Sequence, residues 1–169
     1  MSDRLPDLLG PGLRVVFCGT AAGAASAKRR AYYAGPGNKF WRTLCDVGFT
    51  PRLLAPNEFP ELLDLGIGLT DLCKVGAGSD RDVAHHGFDV ARLRRQIATH
   101  RPHALAFNGK KAAQEAIDPE IGYGHQQERW GDTAVWVLPS TSGAANGYWD
   151  IGPWEDLARS LDSGHPSLR

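Results

Sequence analysis

A chain of 169 residues with 42% apolar and 22% charged side chains can bury a core of its own and is too apolar for a largely disordered chain. No run approaches the roughly 18 to 20 apolar residues of a membrane span. The first ten residues carry Asp3 and Asp7 and lack the apolar centre of a signal peptide, so a cytoplasmic protein without a membrane partner is expected. Nineteen basic and nineteen acidic side chains cancel, which argues against a uniformly basic nucleic-acid binder.

The charge is nevertheless uneven. No acid occurs between Asp7 and Asp46, whereas Arg14, Lys28, Arg29, Arg30, Lys39 and Arg42 all fall there. This stretch reads either as a face able to meet phosphates or as an ordinary solvated surface. Cys18, Cys45 and Cys73 form no C-x-x-C pair and read as buried reduced thiols. Three thiols are too few for a four-thiolate iron–sulfur cluster. His85 and His86 are adjacent, and His100 and His103 straddle Pro102, so no metal site is expected.

In chain order, the apolar run Leu13–Cys18 ends at Gly19 and reads as a buried strand. Phe40, Trp41, Leu44 and Val47 recur at helical spacing before Gly48, a helix stop. Phe59, Leu62 and Leu63 predict a short helix before Gly66, and Ile67–Cys73 a second strand or an extended core segment. Val90, Leu93 and Ile97 mark a helix closed by Pro102. His103–Phe107 reads as a strand and Gly109–Ile117 as the helix after it; Ala134–Leu138 is a strand stopped by Pro139. Trp154–Leu161 is the last predicted helix. Strands separated by helices predict an α/β fold, a three-layer α/β/α sandwich on a central, largely parallel four-stranded sheet. The whole chain, residues 1–169, is expected to form one domain. Ligands bind such sheets at the carboxyl ends of the strands, which directs attention to the segments after Cys18, Phe107 and Leu138.

The small residues from Gly19 to Ala27 let backbone approach a ligand, or simply make a tight strand-to-helix turn. They match neither a P-loop nor the dinucleotide fingerprint. The segment Tyr32-Tyr33-Ala34-Gly35-Pro36-Gly37-Asn38-Lys39-Phe40-Trp41 offers tyrosine rings as a stacking surface for a planar base, although Phe40 and Trp41 suit the core. The hydroxyls and glycine of Ser140-Thr141-Ser142-Gly143 suit contact with a phosphodiester backbone, or a plain turn.

Together these segments resemble the mismatch-specific uracil-DNA glycosylases and thymine-DNA glycosylases, over about Gly12 to Trp154. The family's Gly-Ile-Asn-Pro-Gly is met by Gly19-Thr20-Ala21-Ala22-Gly23, and its Tyr-Tyr/Phe…Pro-Gly-Asn-x-Phe-Trp stretch by Tyr32 to Trp41. Gly66-Ile67-Gly68-Leu69-Thr70, Phe107-Asn108-Gly109-Lys110 and Leu138-Pro139-Ser140-Thr141-Ser142-Gly143 match three further motifs, in order and at proper spacing.

The resemblance implies a monofunctional DNA glycosylase of uracil type. Such an enzyme flips uracil or a related mismatched or damaged base out of DNA and hydrolyses its N-glycosidic bond in base excision repair, with no cofactor. It implies a monomer acting on double-stranded DNA that contains uracil or a mismatch, with single strands left open. Thr20, Ala21, Tyr33, Asn38 and Asn108 fall at base-pocket positions, Tyr33 as the stacking face. Ser26, Ser140, Ser142, Gly143, Ala144, Ala145 and Asn146 fall at DNA-contacting positions.

Two positions depart from the pattern. The asparagine that positions water in the family is Ala21 here, and a methyl group can neither hold a water nor take its proton. Asp71, directly after Thr70, is the first candidate to replace it as general base, and Asp80 the second. Asp71 also fits a helix cap or an ion pair with Lys74. The bulky wedge that relatives insert after Ser-Gly is replaced by Ala144-Ala145-Asn146, which predicts a weaker grip on the orphaned partner base. A catalytically inactive lesion-binding module of the same fold is the alternative from another class; an unrelated α/β nucleotide-binding domain is a third.

Overall fold

The computed structural model describes residues 5–77 and 87–163; Asp80, His85 and His86 lie outside them. Five strands form one sheet: β1 (Val15–Ala22), β2 (Ile67–Ala77), β3 (Ala104–Asn108), β4 (Gly124–Trp130) and β5 (Thr133–Leu138), in spatial order β2-β1-β3-β5-β4. β1, β2, β3 and β5 run parallel, and β4 lies antiparallel at the edge.

The parallel strands are apolar on both faces because helices cover both. Val15 and Phe17 of β1, Ala104 and Ala106 of β3, and Trp136 and Leu138 of β5 point into one core, with Phe40, Leu44, Leu62, Trp154 and Leu157. The alternate residues, Val16, Cys18, Leu105, Phe107, Val135 and Val137, point into the other, with Leu93, Ile97, Ala112 and Ala113. The first layer is built from α2 (Phe40–Asp46), a 3₁₀ segment at Pro56–Leu65, and α5 (Gly152–Ser163); the second from α3 (Val90–His100) and α4 (Lys110–Ala116). In the first core Phe17 stacks on Trp154 with centroids 5.4 Å apart and meets Phe40 edge-on at 5.5 Å. Such pairs add about 0.5–1.5 kcal/mol each beyond their burial.

The three-layer sandwich predicted from sequence is present, with five strands among the described residues rather than four. The strand missed is β4, Gly-His-Gln-Gln-Glu-Arg-Trp, of which only Trp130 is buried; an edge strand facing water carries no apolar run. Pro56–Leu65 is 3₁₀ rather than α, with Pro60 inside it, where proline removes an α-helical hydrogen bond. A short helix, α1 (Ala24–Arg29), follows β1, in keeping with the strand-to-helix alternative for this segment, whereas the 3₁₀ turn at Gly143–Tyr148 has no counterpart among the elements expected from sequence. Cys18 and Cys73 are buried as expected, whereas Cys45 is half-buried, and none of the three forms a disulfide among the described residues. Among the described residues no helix is long and apolar enough to cross a membrane.

Candidate active site

The sequence places a turn at Gly19–Gly23; the structure replaces it with strand. β1 continues four residues past Cys18, pairing Gly19 with Asp71 and Ala21 with Cys73. Gly19 needs no unusual backbone; it lacks a side chain because two groups close over it. A Cβ there would stand 2.9 Å from Asp71 Oδ1 and 3.3 Å from the Tyr33 hydroxyl. The glycine is therefore a clearance for a carboxylate and a phenol at the carboxyl end of the sheet.

At that end lies a cavity of about 930 Å³, walled by the end of β1 with α1, the Tyr33–Asn38 loop, the start of α4, and the loop after β5. Hydrogen bonds lock these walls together. Asn108, the last residue of β3, donates from Nδ2 to Thr141 Oγ1 at 3.0 Å and accepts from Thr141 N–H at 3.1 Å. The Lys39 N–H donates to Thr141 O at 2.9 Å. Trp154 Nε1 holds Pro139 O at 3.0 Å, fixing where the last loop leaves β5.

Tyr33 has φ +53°, a left-handed conformation that costs a bulky residue on the order of 1–3 kcal/mol. The constraint turns its ring to the cavity. One face stacks on Phe40 with centroids 4.0 Å apart. The buried hydroxyl has no well-formed hydrogen bond among the described residues, with Asp71 and Asn108 as its polar neighbours. Burial and the Asp71 charge push it well above its usual pKa, so it is a neutral phenol. Tyr32, the other candidate ring, borders the cavity but is tied into the core: its hydroxyl donates to Pro6 O at 2.8 Å and its carbonyl accepts from Trp41 Nε1 at 3.1 Å.

Asp71 is the only carboxylate lining the cavity among the described residues, and it is 4% exposed. Burial raises its pKa above the ordinary carboxylate range, against the Lys74 ammonium, which lowers it. Lys74 Nζ stands 3.6 Å from Asp71 Oδ2. Residues three apart on a regular strand face opposite ways. Here the register slips, Ala21 pairing with Cys73 and the next residue, Ala22, with Ala77; such an irregularity re-aims side chains.

Of the residues singled out in sequence, Thr20, Ala21, Tyr33, Asn38, Asn108 and Asp71 all line this cavity, as do Ser26, Ser140, Ser142, Gly143, Ala144 and Ala145. Ser26 is buried and its Oγ accepts the Ala34 N–H at 2.9 Å, and Asn38 Oδ1 accepts the Phe40 N–H at 3.0 Å; both also hold local structure. Asn146 is not among the lining residues, and its carboxamide oxygen takes the Lys39 ammonium instead. Lys110 of the matched Phe107–Lys110 motif also lines the cavity, as do Tyr123, Tyr148 and Lys111, which sequence reasoning missed. Tyr123 precedes the unrecognised edge strand, and Tyr148, 75% exposed, lies beyond the matched motif. Lys110 Nζ lies 4.6 Å from the Tyr123 ring centre. Lys28, Arg29 and Arg30, at the end of α1, are exposed.

Known proteins show the same architecture. The solution NMR structure of a candidate uracil DNA glycosylase from Methanosarcina acetivorans is similar with a TM-score of 0.64 at 25% identity, covering 94% of this chain and 96% of that one. The model of the uracil DNA glycosylase superfamily matches residues 6–158, a span that contains every lining residue of the cavity except Leu5. On that match the chain belongs to the uracil DNA glycosylase superfamily.

Proposed function

We propose that this protein is a monofunctional DNA glycosylase that excises uracil, with Asp71 replacing the absent asparagine side chain at Ala21. The observation that carries this reading is a buried carboxylate converging on Gly19 with a buried tyrosine hydroxyl that makes no well-formed hydrogen bond among the described residues, at the floor of a cavity lined by Tyr33. A flipped base needs an aromatic face, and Tyr33, backed by Phe40, supplies a rigid one. Lys110 and Lys111 of α4 line a cavity whose only acid among the described lining residues is Asp71, and Lys28, Arg29 and Arg30 are exposed at the end of α1; this charge suits DNA phosphates.

The chemistry balances without further groups. As the C1′–N bond breaks, its electron pair leaves with the base and the sugar takes on oxocarbenium character. A water then delivers hydroxide to C1′ and its proton to the Asp71 carboxylate, whose charge also stabilises the cationic sugar. Burial serves this role: a carboxylate with a raised pKa is a stronger base than a solvated one.

Ala144 and Ala145 leave the usual wedge position without bulk. Tyr148, exposed at the cavity rim four residues after Ala144, is the large side chain on this loop able to fill the gap left by the flipped base. The thymine- and mismatch-specific branch resembled in sequence is therefore one outcome of the substrate test. Uracil release is measured opposite guanine, opposite adenine and in single strands, with the native protein, Asp71→Asn and Asp80→Asn. Turnover by the native protein that is lost in Asp71→Asn supports the assignment. Binding of uracil DNA without any turnover would identify the lesion-binding module, the reading that Ala21 favours.

A further inference from the structure

Beneath Asp71 lies a buried charged cluster that the proposed chemistry does not itself use. The N-terminal segment pairs with β2 through Leu8 and Leu69, N–H to carbonyl at 2.9 and 2.8 Å. This brings Asp7 against Thr70, which donates to Asp7 Oδ1 at 2.7 Å. Arg92 of α3 pairs with Asp7 Oδ2. Lys74, 7% exposed, reaches Asp7 Oδ1 at 3.2 Å, the Tyr32 hydroxyl at 3.1 Å and Asp71 Oδ2 at 3.6 Å.

The two oxygens of Asp71 thus have different surroundings: Oδ2 faces the ammonium, and Oδ1 faces Gly19. An unpaired buried carboxylate would take up a proton and cease to be a base. We propose that Lys74 is a positioning residue for the reaction, its ammonium held below the cavity floor by Asp7 and Tyr32 so that it orients the Asp71 carboxylate and keeps it charged. The inference rests on Asp71 acting as the base. Among the described residues, Lys74 and Arg92 favour the ionised form of Asp71, and Asp7 opposes it. Cys18, Tyr32 and Tyr33 are held neutral by burial and by the Asp71 charge.

The test is the pH profile of single-turnover uracil release from an oligonucleotide, for the whole chain as native protein, Lys74→Met, Lys74→Arg, Asp7→Asn and Asp71→Asn. The rate of a general base falls as it is protonated, so the acidic limb marks the ionisation of Asp71. Removing an opposite charge at this distance moves the Lys74→Met limb upward by about 1–2 pH units, a tenfold loss per unit at a pH below both limbs. At high pH the rate recovers toward native. Lys74→Arg keeps the charge and the limb near native. Asp7→Asn removes the opposing carboxylate and moves the limb downward, and it carries the test alone if Lys74→Met does not fold. Opposite shifts from the two neutralisations are the expected result. If both variants lose rate equally at all pH with the limb unmoved, Lys74 is merely structural and the proposal is overturned, while an inactive Asp71→Asn leaves the enzyme reading intact. Full activity of Asp71→Asn would overturn Asp71 as the base, and with it the role of Lys74, while the protein would remain a glycosylase.

Discussion

Gly19→Ala tests the site at its tightest point. The added methyl carbon would stand 2.9 Å from Asp71 Oδ1 and 3.3 Å from the Tyr33 hydroxyl, whereas ordinary C···O contacts begin at about 3.3 Å. Asp71 must retreat by about 0.5 Å, and Lys74 behind Oδ2 limits the directions open to it. Misplacing a reacting group by about 1 Å can cost on the order of 100-fold. A half-ångström shift is thus expected to lower the uracil-release rate by about 10-fold or more, roughly 1.4 kcal/mol of barrier. The stability cost is at the low end of overpacking, about 1 kcal/mol, because both displaced groups border an open cavity. Single-turnover excision from a labelled oligonucleotide gives the first number and urea denaturation the second. A Gly19→Ala protein with native rate and native stability would refute the claim that Asp71 Oδ1 must occupy that space during the reaction.

Asp71→Asn is expected to lower excision by about 10²- to 10⁴-fold, and it carries a stability signature as well. Because burial raises the folded-state pKa of Asp71, its favourable contribution is full below the unfolded value of about 3.9 and is lost as pH rises through the folded value. Relative to native, Asp71→Asn therefore gains stability between about pH 4 and neutrality, measured by urea denaturation at both ends; a constant difference would contradict the direction of the shift. Tyr148→Ala should slow excision from duplex more than from single-stranded DNA, by about 10-fold, with Tyr148→Phe close to native; equal losses on both substrates would remove it from the role of gap filler. Asn108→Ala strands the Thr141 N–H and hydroxyl, and each unmet group costs about 1–3 kcal/mol, so a thermal melt should show a destabilisation of about 2 kcal/mol or more. Tyr33→Leu removes the stacking face from a left-handed position and should weaken binding of uracil DNA with little change for undamaged DNA, measured by fluorescence anisotropy.

Several features were legible in the residues alone. The buried parallel strands announce themselves as uninterrupted apolar runs because helices cover both faces, and the spacing of Phe40, Trp41 and Leu44 marks α2 because one side must enter the core. The three loops that wall the cavity were identified from their composition, since close approach of backbone to a ligand demands small residues. Asp71 stands out only through the family resemblance, which sets Ala21 against an asparagine and puts the residue after Thr70 in the base pocket; the alternative for it, an ion pair with Lys74, also exists.

What the tertiary structure alone decided concerns contacts between residues distant in the chain. β4 is polar because its surroundings are water, so no periodicity betrays it. The extension of β1 to Ala22 depends on pairing with β2, and the purpose of Gly19 as clearance for Asp71 and Tyr33 depends on two segments folding over it. Asp7 reads in sequence as one more charge near a terminus; it becomes the anchor of Lys74 only through a bridge from Leu8 to Leu69. Local sequence determines strand, helix and loop because those rest on neighbouring side chains. The ionisation and aim of a buried carboxylate rest on groups brought together across the fold, and those only the assembled structure supplies.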